Sequence, residues 1–156
     1  MSKFQKALLL AIILLVIDQI IKIWIKTNMT LGENIIIFGD WAKIHFTENK
    51  GMAYGMQFGG EIGKLLLSLF RIVAIIGIIW YLYDISKKKY HRIAIFSISL
   101  VLAGAMGNVI DSAFYGVIFS ESTFYQEAVF MPEAGGYAKF LHGSVVDMFY
   151  FPMIRT

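Results

Sequence analysis

Long apolar stretches alternate along this chain with short polar clusters. Three of them run from Phe4 to about Ile25, from about Ile62 to Tyr83 and from about Ile93 to Tyr115. Each is long enough to cross a bilayer as a helix, which takes about 20 residues. The first stretch is too long, and too interrupted by Asp18, Gln19 and Lys22, for a cleaved signal peptide, and no small-x-small site follows it. It is expected to stay and span. Between the first two stretches the period shortens. Asn34–Phe38 and Lys43–Thr47 are β-branched or aromatic runs separated by Gly39-Asp40, and Asn49-Lys50-Gly51 marks a second turn. Residues 31–60 are therefore expected to form a platform of two or three strands on the membrane surface. Its simpler reading is a structured connector. The segment from Gly116 to His142 has no clear period, and loops of that length are usually functional or mobile. A lid and a plain insertion both fit it.

Composition agrees with a membrane protein: 58% of residues are hydrophobic and 16% charged, with mean hydropathy +0.66. The 156 residues suit one membrane-embedded unit. Basic residues set the orientation. Lys3 and Lys6 precede the first span, and Lys87, Lys88, Lys89, His91 and Arg92 lie between the second and third. The positive-inside rule puts both groups in the cytoplasm and places 31–60 and everything after Gly116 outside. Trp24, Tyr81, Tyr83 and Tyr115 are expected as interfacial aromatics. The net charge of +3 comes largely from these anchors and gives no reason to expect a nucleic acid.

Ionisable residues inside apolar spans are expensive and mark functional candidates. Asp18 and Lys22, four apart, share one helix face and can pair. Gly104, Asn108 and Asp111 fall on one stripe of the third span, and Ala103, Gly104, Ala105 and Gly107 are small enough to admit another helix. Asp18 and Asp111 lie in the outer halves of their spans, and Asp147 follows on the outer side, so three carboxylates are expected to converge near one depth. Arg71 sits mid-span, where it either snorkels outward or serves as counter-ion to these carboxylates. The long reach to the surface favours the counter-ion. Lys64 reads as a surface anchor.

The chemistry left open is narrow. The chain has no Cys, which excludes thiolate catalysis and Cys-based metal sites. There is no HExxH motif, and His45, His91 and His142 are scattered. Two close carboxylates sharing a proton would suffice for hydrolysis without cofactor or metal.

Four motifs, Asp18-Gln19-Ile-Ile-Lys22, Asn49-Lys-Gly51-Met-Ala53-Tyr-Gly55, Gly104-Ala-Met-Gly107-Asn108-Val-Ile-Asp111 and Val145-Val146-Asp147, occur in this order. Together the chain resembles bacterial lipoprotein signal peptidase, signal peptidase II. The resemblance implies an α-helical membrane aspartic endopeptidase with an extracytoplasmic β-cradle, in the bacterial inner membrane. It implies cleavage of diacylglyceryl-modified prolipoproteins before the lipidated Cys, membrane lipids as surroundings, no cofactor, and inhibition by globomycin-type cyclic lipopeptides. It makes Asp147 one member of the catalytic pair, with Asn49, Gly51, Asn108 and Asp111 as site neighbours and Asp18 with Lys22 as the first-helix signature.

Three departures matter. The family's second catalytic Asp sits in an Asn-x-Ala-Asp motif opening a fourth span, and neither is present in these residues, so the 156-residue chain is expected to be inactive alone. Asp111-Ser112 stands where the family commonly has Asp-Arg, which makes Arg71 the expected source of the missing guanidinium. Residues 117–142 form an insertion where the family commonly has a short loop. The alternative to an enzyme is a non-enzymatic membrane subunit or ion-pathway fragment, with ionisable groups spread through the whole depth.

Overall fold

A computed structural model of the protein describes residues 1–51 and 59–152. Helix α1 covers Lys3–Asn28, α2 Gly60–Lys87 and α3 Arg92–Ile110. Helix α3 continues through a π-helical turn, Asp111–Tyr115, and a last turn, Gly116–Ile118. All three expected spans are present, and each is long and apolar enough to cross a membrane. They overrun the expected ends by a few residues because polar ends can be capped. At the start of α1, for example, the Ser2 hydroxyl accepts from the Gln5 N–H while the Gln5 side chain accepts from the Ser2 N–H.

Helices α1 and α3 lie side by side and parallel, with Lys22 and Asp111 meeting at one end and Lys6 and Arg92 at the other, and α2 packs against both. Ala7, Ala11 and Ala103 are buried there with Leu82, Ile85, Ile95 and Leu102 as the inner core. Small side chains let the helices approach where no hydrophobic drive separates helix from lipid. The outward faces keep their apolar residues exposed, as at Ile20 (63%) and Phe70 (69%), a surface matched to acyl chains.

The strands differ from the expectation in one respect. β1 (Asn34–Phe38) and β2 (Ala42–Asn49) form the expected hairpin, but the third strand is β3, Val145–Tyr150, from the far end of the chain. The order is β1-β2-β3, both pairings antiparallel, with Thr47 opposite Asp147, Glu48 opposite Val146 and Asn49 opposite Val145. A second core, formed by Ile25, Met29, Phe46, Tyr115, Phe119, Ala128, Val146 and Met148, joins this sheet to the C-terminal ends of α1 and α3. Tyr115 is thus not the interfacial aromatic the sequence suggests. It is 1% exposed, because the segment after it folds back over the helix end.

That segment, 119–143, is packed against the fold. Its backbone ties to α1 and the following turn (Ala128 N–H to Lys26 carbonyl, 3.1 Å; Leu31 N–H to Thr123 carbonyl, 2.9 Å) and closes on itself at the Phe119–Phe130 bridge. Residues 52–55, the second half of the Asn49 motif, lie outside the described residues.

Candidate active site

The site begins at the π turn. An extra residue per turn widens the helix and turns carbonyls outward, a feature frequent at functional positions. The returning chain binds those carbonyls: the Leu141 N–H donates to Ala113 (3.2 Å), Gly143 to Ser112 (2.9 Å) and Ala138 to Gly116 (2.8 Å). Gly143 is needed there, since a Cβ would lie 2.5 Å from the Asp111 carbonyl oxygen. Satisfying helix-end carbonyls in this way delivers β3 beside Asp111.

Asp111 is fully buried and saturated. Its Oδ2 accepts from Lys22 Nζ (2.7 Å) and the Val146 N–H (3.0 Å), and its Oδ1 accepts from Gln19 Nε2 (3.1 Å). Gln19 also donates to Asp18 Oδ2 (3.2 Å) and accepts from the Tyr115 hydroxyl (3.0 Å). Lys22 donates to Asn108 Oδ1 (3.2 Å) and lies 3.5 Å from Asp18. Among the described residues no buried side-chain nitrogen or oxygen is left without a hydrogen bond, as low-dielectric burial demands. The expected Asp18–Lys22 pair is present, but Lys22 is held closest by Asp111.

Above this layer opens a cleft of about 440 Å³ lined by Asp18, Lys22, Asn108, Val146, Asp147 and Phe149, with Gly104 at its edge. Of the three carboxylates expected to converge, Asp18 and Asp147 line this cleft together with Asn108, whereas Asp111 is buried beneath it on the Val146 N–H. Strand alternation explains the division: Val146 and Met148 pack into the second core, while Asp147 is exposed and lines the cleft. Among the described residues the Asp147 carboxylate has no hydrogen-bond or ion-pair partner. Partial desolvation pushes its carboxyl above the usual carboxylate range, and the Lys22 ammonium and Arg71 guanidinium oppose that rise. The residue is exposed overall, so the surrounding solvent screens much of this effect.

Arg71 points inward and does not snorkel. Its Nη1 donates to the Ser112 hydroxyl at 3.0 Å, next to Asp111, but it makes no ion pair with a carboxylate within 4.0 Å among the described residues. One turn earlier Ser68 donates to the Leu141 carbonyl (3.1 Å), so α2 grips both the π turn and the returning segment. The Asn49 side chain accepts from the Gly51 N–H (2.9 Å) in a turn that closes β2, and Gly51 takes φ +98°, which favours glycine. Gly104 has open space where a Cβ would stand, so it lines the cleft without admitting a helix. Gly107 is the point of close approach: its Cβ would lie 2.4 Å from Asp18 Oδ2.

A second polar group escaped the sequence reading. Lys26, 0% exposed, pairs with Glu48 of β2 and donates to Ser122 Oγ (2.9 Å), with the Phe119 and Tyr137 rings stacked near its ammonium. Tyr137, in turn, accepts the Ser144 N–H (2.8 Å), and burial pushes its phenol up to about 12. The spacing of Asp18, Lys22 and Lys26, four residues each, puts all three on one stripe of α1 and was the available signal.

The family profile described as signal peptidase (SPase) II matches residues 10–156. The lipoprotein signal peptidase of Porphyromonas gingivalis is 52% identical over 147 residues, covering 94% of this chain and 63% of that protein. That of Amoebophilus asiaticus is 37% identical, covering 90% and 57%, and that of Clostridioides difficile 30% identical, covering 71% of each. Two solved bacterial membrane enzyme structures share the fold, with TM-scores of 0.57 and 0.60 at 20% and 22% identity. Each covers 96% of this chain, which spans 71% and 76% of theirs. The chain spans about 63% of the first of these relatives. On the strength of a match over nearly its whole length, the chain belongs to the signal peptidase II family.

Proposed function

We propose that this chain carries the outer cleft of an aspartic endopeptidase that removes signal peptides from diacylglyceryl-modified prolipoproteins, in the bacterial inner membrane with its N-terminus in the cytoplasm. The observation that carries the reading is Asp147: a carboxylate without a hydrogen-bond or ion-pair partner among the described residues, in a cleft at the end of the spans, on a strand pinned one residue earlier by buried Asp111. Asp147 acts as one of two carboxylates sharing a proton. The ionised member takes a proton from water, the water oxygen bonds to the scissile carbonyl carbon, and the C–N bond breaks as a proton passes to the leaving amine. Asp111 does not serve as the second member, because each of its oxygens is already held by a buried donor. That role falls to the Asn-x-Ala-Asp motif of the family, which these 156 residues do not contain. Lys22, Asn108 and Asp18 line the cleft and supply polar contacts for substrate, Asn49 and Gly51 shape its end, and Arg71 adds positive charge behind it. Globomycin-type lipopeptides compete for the same cleft.

The ion-pathway alternative expects ionisable groups at all depths. In α1 none lies between Lys6 and Asp18, and in α3 none between Arg92 and Asp111. The test uses a fusion in which these residues replace the matching region of the Porphyromonas gingivalis relative. The fusion should cleave a lipidated prolipoprotein, Asp147→Asn should lower turnover by about 10²–10⁴-fold, and the 156-residue chain alone should not turn over. Full activity of the Asp147→Asn fusion would refute the assignment. Turnover by the chain alone would make Asp18 the partner.

A further inference from the structure

At the opposite end of the spans lies a second recess, about 450 Å³, between the N-terminal turns of α1 and α3. From Lys22 to Lys6 the rise along α1 is about 24 Å, nearly the thickness of the hydrocarbon core. Lys3 and Lys6 of α1 and Arg92 of α3 converge on this recess, and Leu10, Ile95 and Phe96 form its apolar wall. No acidic side chain lines it, and none of the three cations makes an ion pair among the described residues. The other cation-rich stretch at this end behaves differently. Lys88 is paired with Asp84 at 2.6 Å, and Lys87 stacks over the Tyr83 ring.

We propose that this recess is a binding site for the phosphate headgroup of an anionic phospholipid from the adjacent leaflet. Three features select that occupant. The cations come from two different helices and surround one concavity, whereas basic anchors that merely obey the positive-inside rule need not converge. Two long parallel helices bring the positive ends of their dipoles to the same place. The recess also runs from charged rim to apolar wall, as a headgroup with its first acyl carbons does, and the half-exposed Phe96 ring is part of that wall. A free phosphate would use only the rim. A lipid bridging α1 and α3 here would hold together, from the far end, the two helices that carry Lys22 and Asp111.

The test is native mass spectrometry of the 156-residue protein released from nanodiscs of equal phosphatidylglycerol and phosphatidylcholine. The protein should retain phosphatidylglycerol selectively. Lys3→Gln/Lys6→Gln/Arg92→Gln should cut that retention at least about tenfold, and Phe96→Ala should cut it less. The charge-matched control Lys87→Gln/Lys88→Gln/Lys89→Gln should leave it within about twofold. Millimolar inorganic phosphate should not displace the lipid. Equal losses in both triple variants, equal retention of the two lipids, or displacement by inorganic phosphate would each overturn the proposal. None of these readouts depends on peptidase activity.

Discussion

Lys22 Nζ and Asp111 Oδ2 lie 2.7 Å apart, with side chains 4% and 0% exposed, and this contact joins the first span to the third at the floor of the cleft. Two charges withdrawn from water gain little net stability over an apolar pair, because desolvation offsets their attraction. Their value here is placement. The same Asp111 oxygen accepts the Val146 N–H, so the ion pair sets the height at which β3, and with it Asp147, enters the cleft.

Removing one partner should therefore be far worse than removing both. Lys22→Met or Asp111→Leu should each lower unfolding free energy by about 3–5 kcal/mol. Lys22→Met/Asp111→Leu should cost less than the sum of the two, because no charge is left unpaired. Thermal or denaturant unfolding in a defined detergent, read as a double-mutant cycle, checks this.

Two glycines on one helix should respond oppositely. Gly107→Ala drives a methyl into Asp18 Oδ2 and should displace that carboxylate from Gln19 and Lys22, costing about 1–3 kcal/mol. Gly104→Ala meets open space and should be close to neutral in stability, or slightly favourable through helix propensity. Paired melting curves decide between them.

Asp147 should reveal itself in the pH dependence of stability. Its carboxyl is raised in the folded state, so the folded protein binds more protons than the unfolded chain between the ordinary carboxylate pKa and the raised one. Stability should then fall as pH rises through that window and level off above the folded pKa. Asp147→Asn should remove this slope. Arg71→Gln should push the Asp147 titration higher, whereas Lys64→Gln should leave it unmoved. A carbon-13 carboxyl titration measures the shift directly.

The buried Lys26–Glu48–Ser122 group should control how firmly the 119–143 segment is held. Ser122→Ala should weaken it by about 1 kcal/mol and Lys26→Met by about 3–5 kcal/mol, the latter stranding Glu48. The expected signature is faster amide exchange at Ala128 and Leu31, whose N–H groups bond across this segment, with no change at Ala103 in the inner core. Deleting most of the segment should expose Phe119 and Tyr115 and destabilise the fold; unchanged melting after the deletion would mark it as a detachable decoration.

What could be read from the chain alone was whatever depends on neighbours along it. Apolar runs long enough for a bilayer determined the three spans, four-residue spacing determined that Asp18 faces with Lys22, and a Gly-Asp turn between β-branched runs determined the β1–β2 hairpin. The family motifs singled out Asp147, Asn108 and Asp111. Tertiary structure decided what those residues do to one another. Local period cannot say that Val145–Tyr150 pairs with Ala42–Asn49, because strand pairing across so long a gap depends on where the π turn sends the chain. Nor can it say that Tyr115 turns inward to Gln19, that Arg71 ends on Ser112, or that Lys26 is sealed beneath Ser122. A buried polar atom must find a partner, and which partner it finds is a property of the packed helices and not of the stripe it sits on.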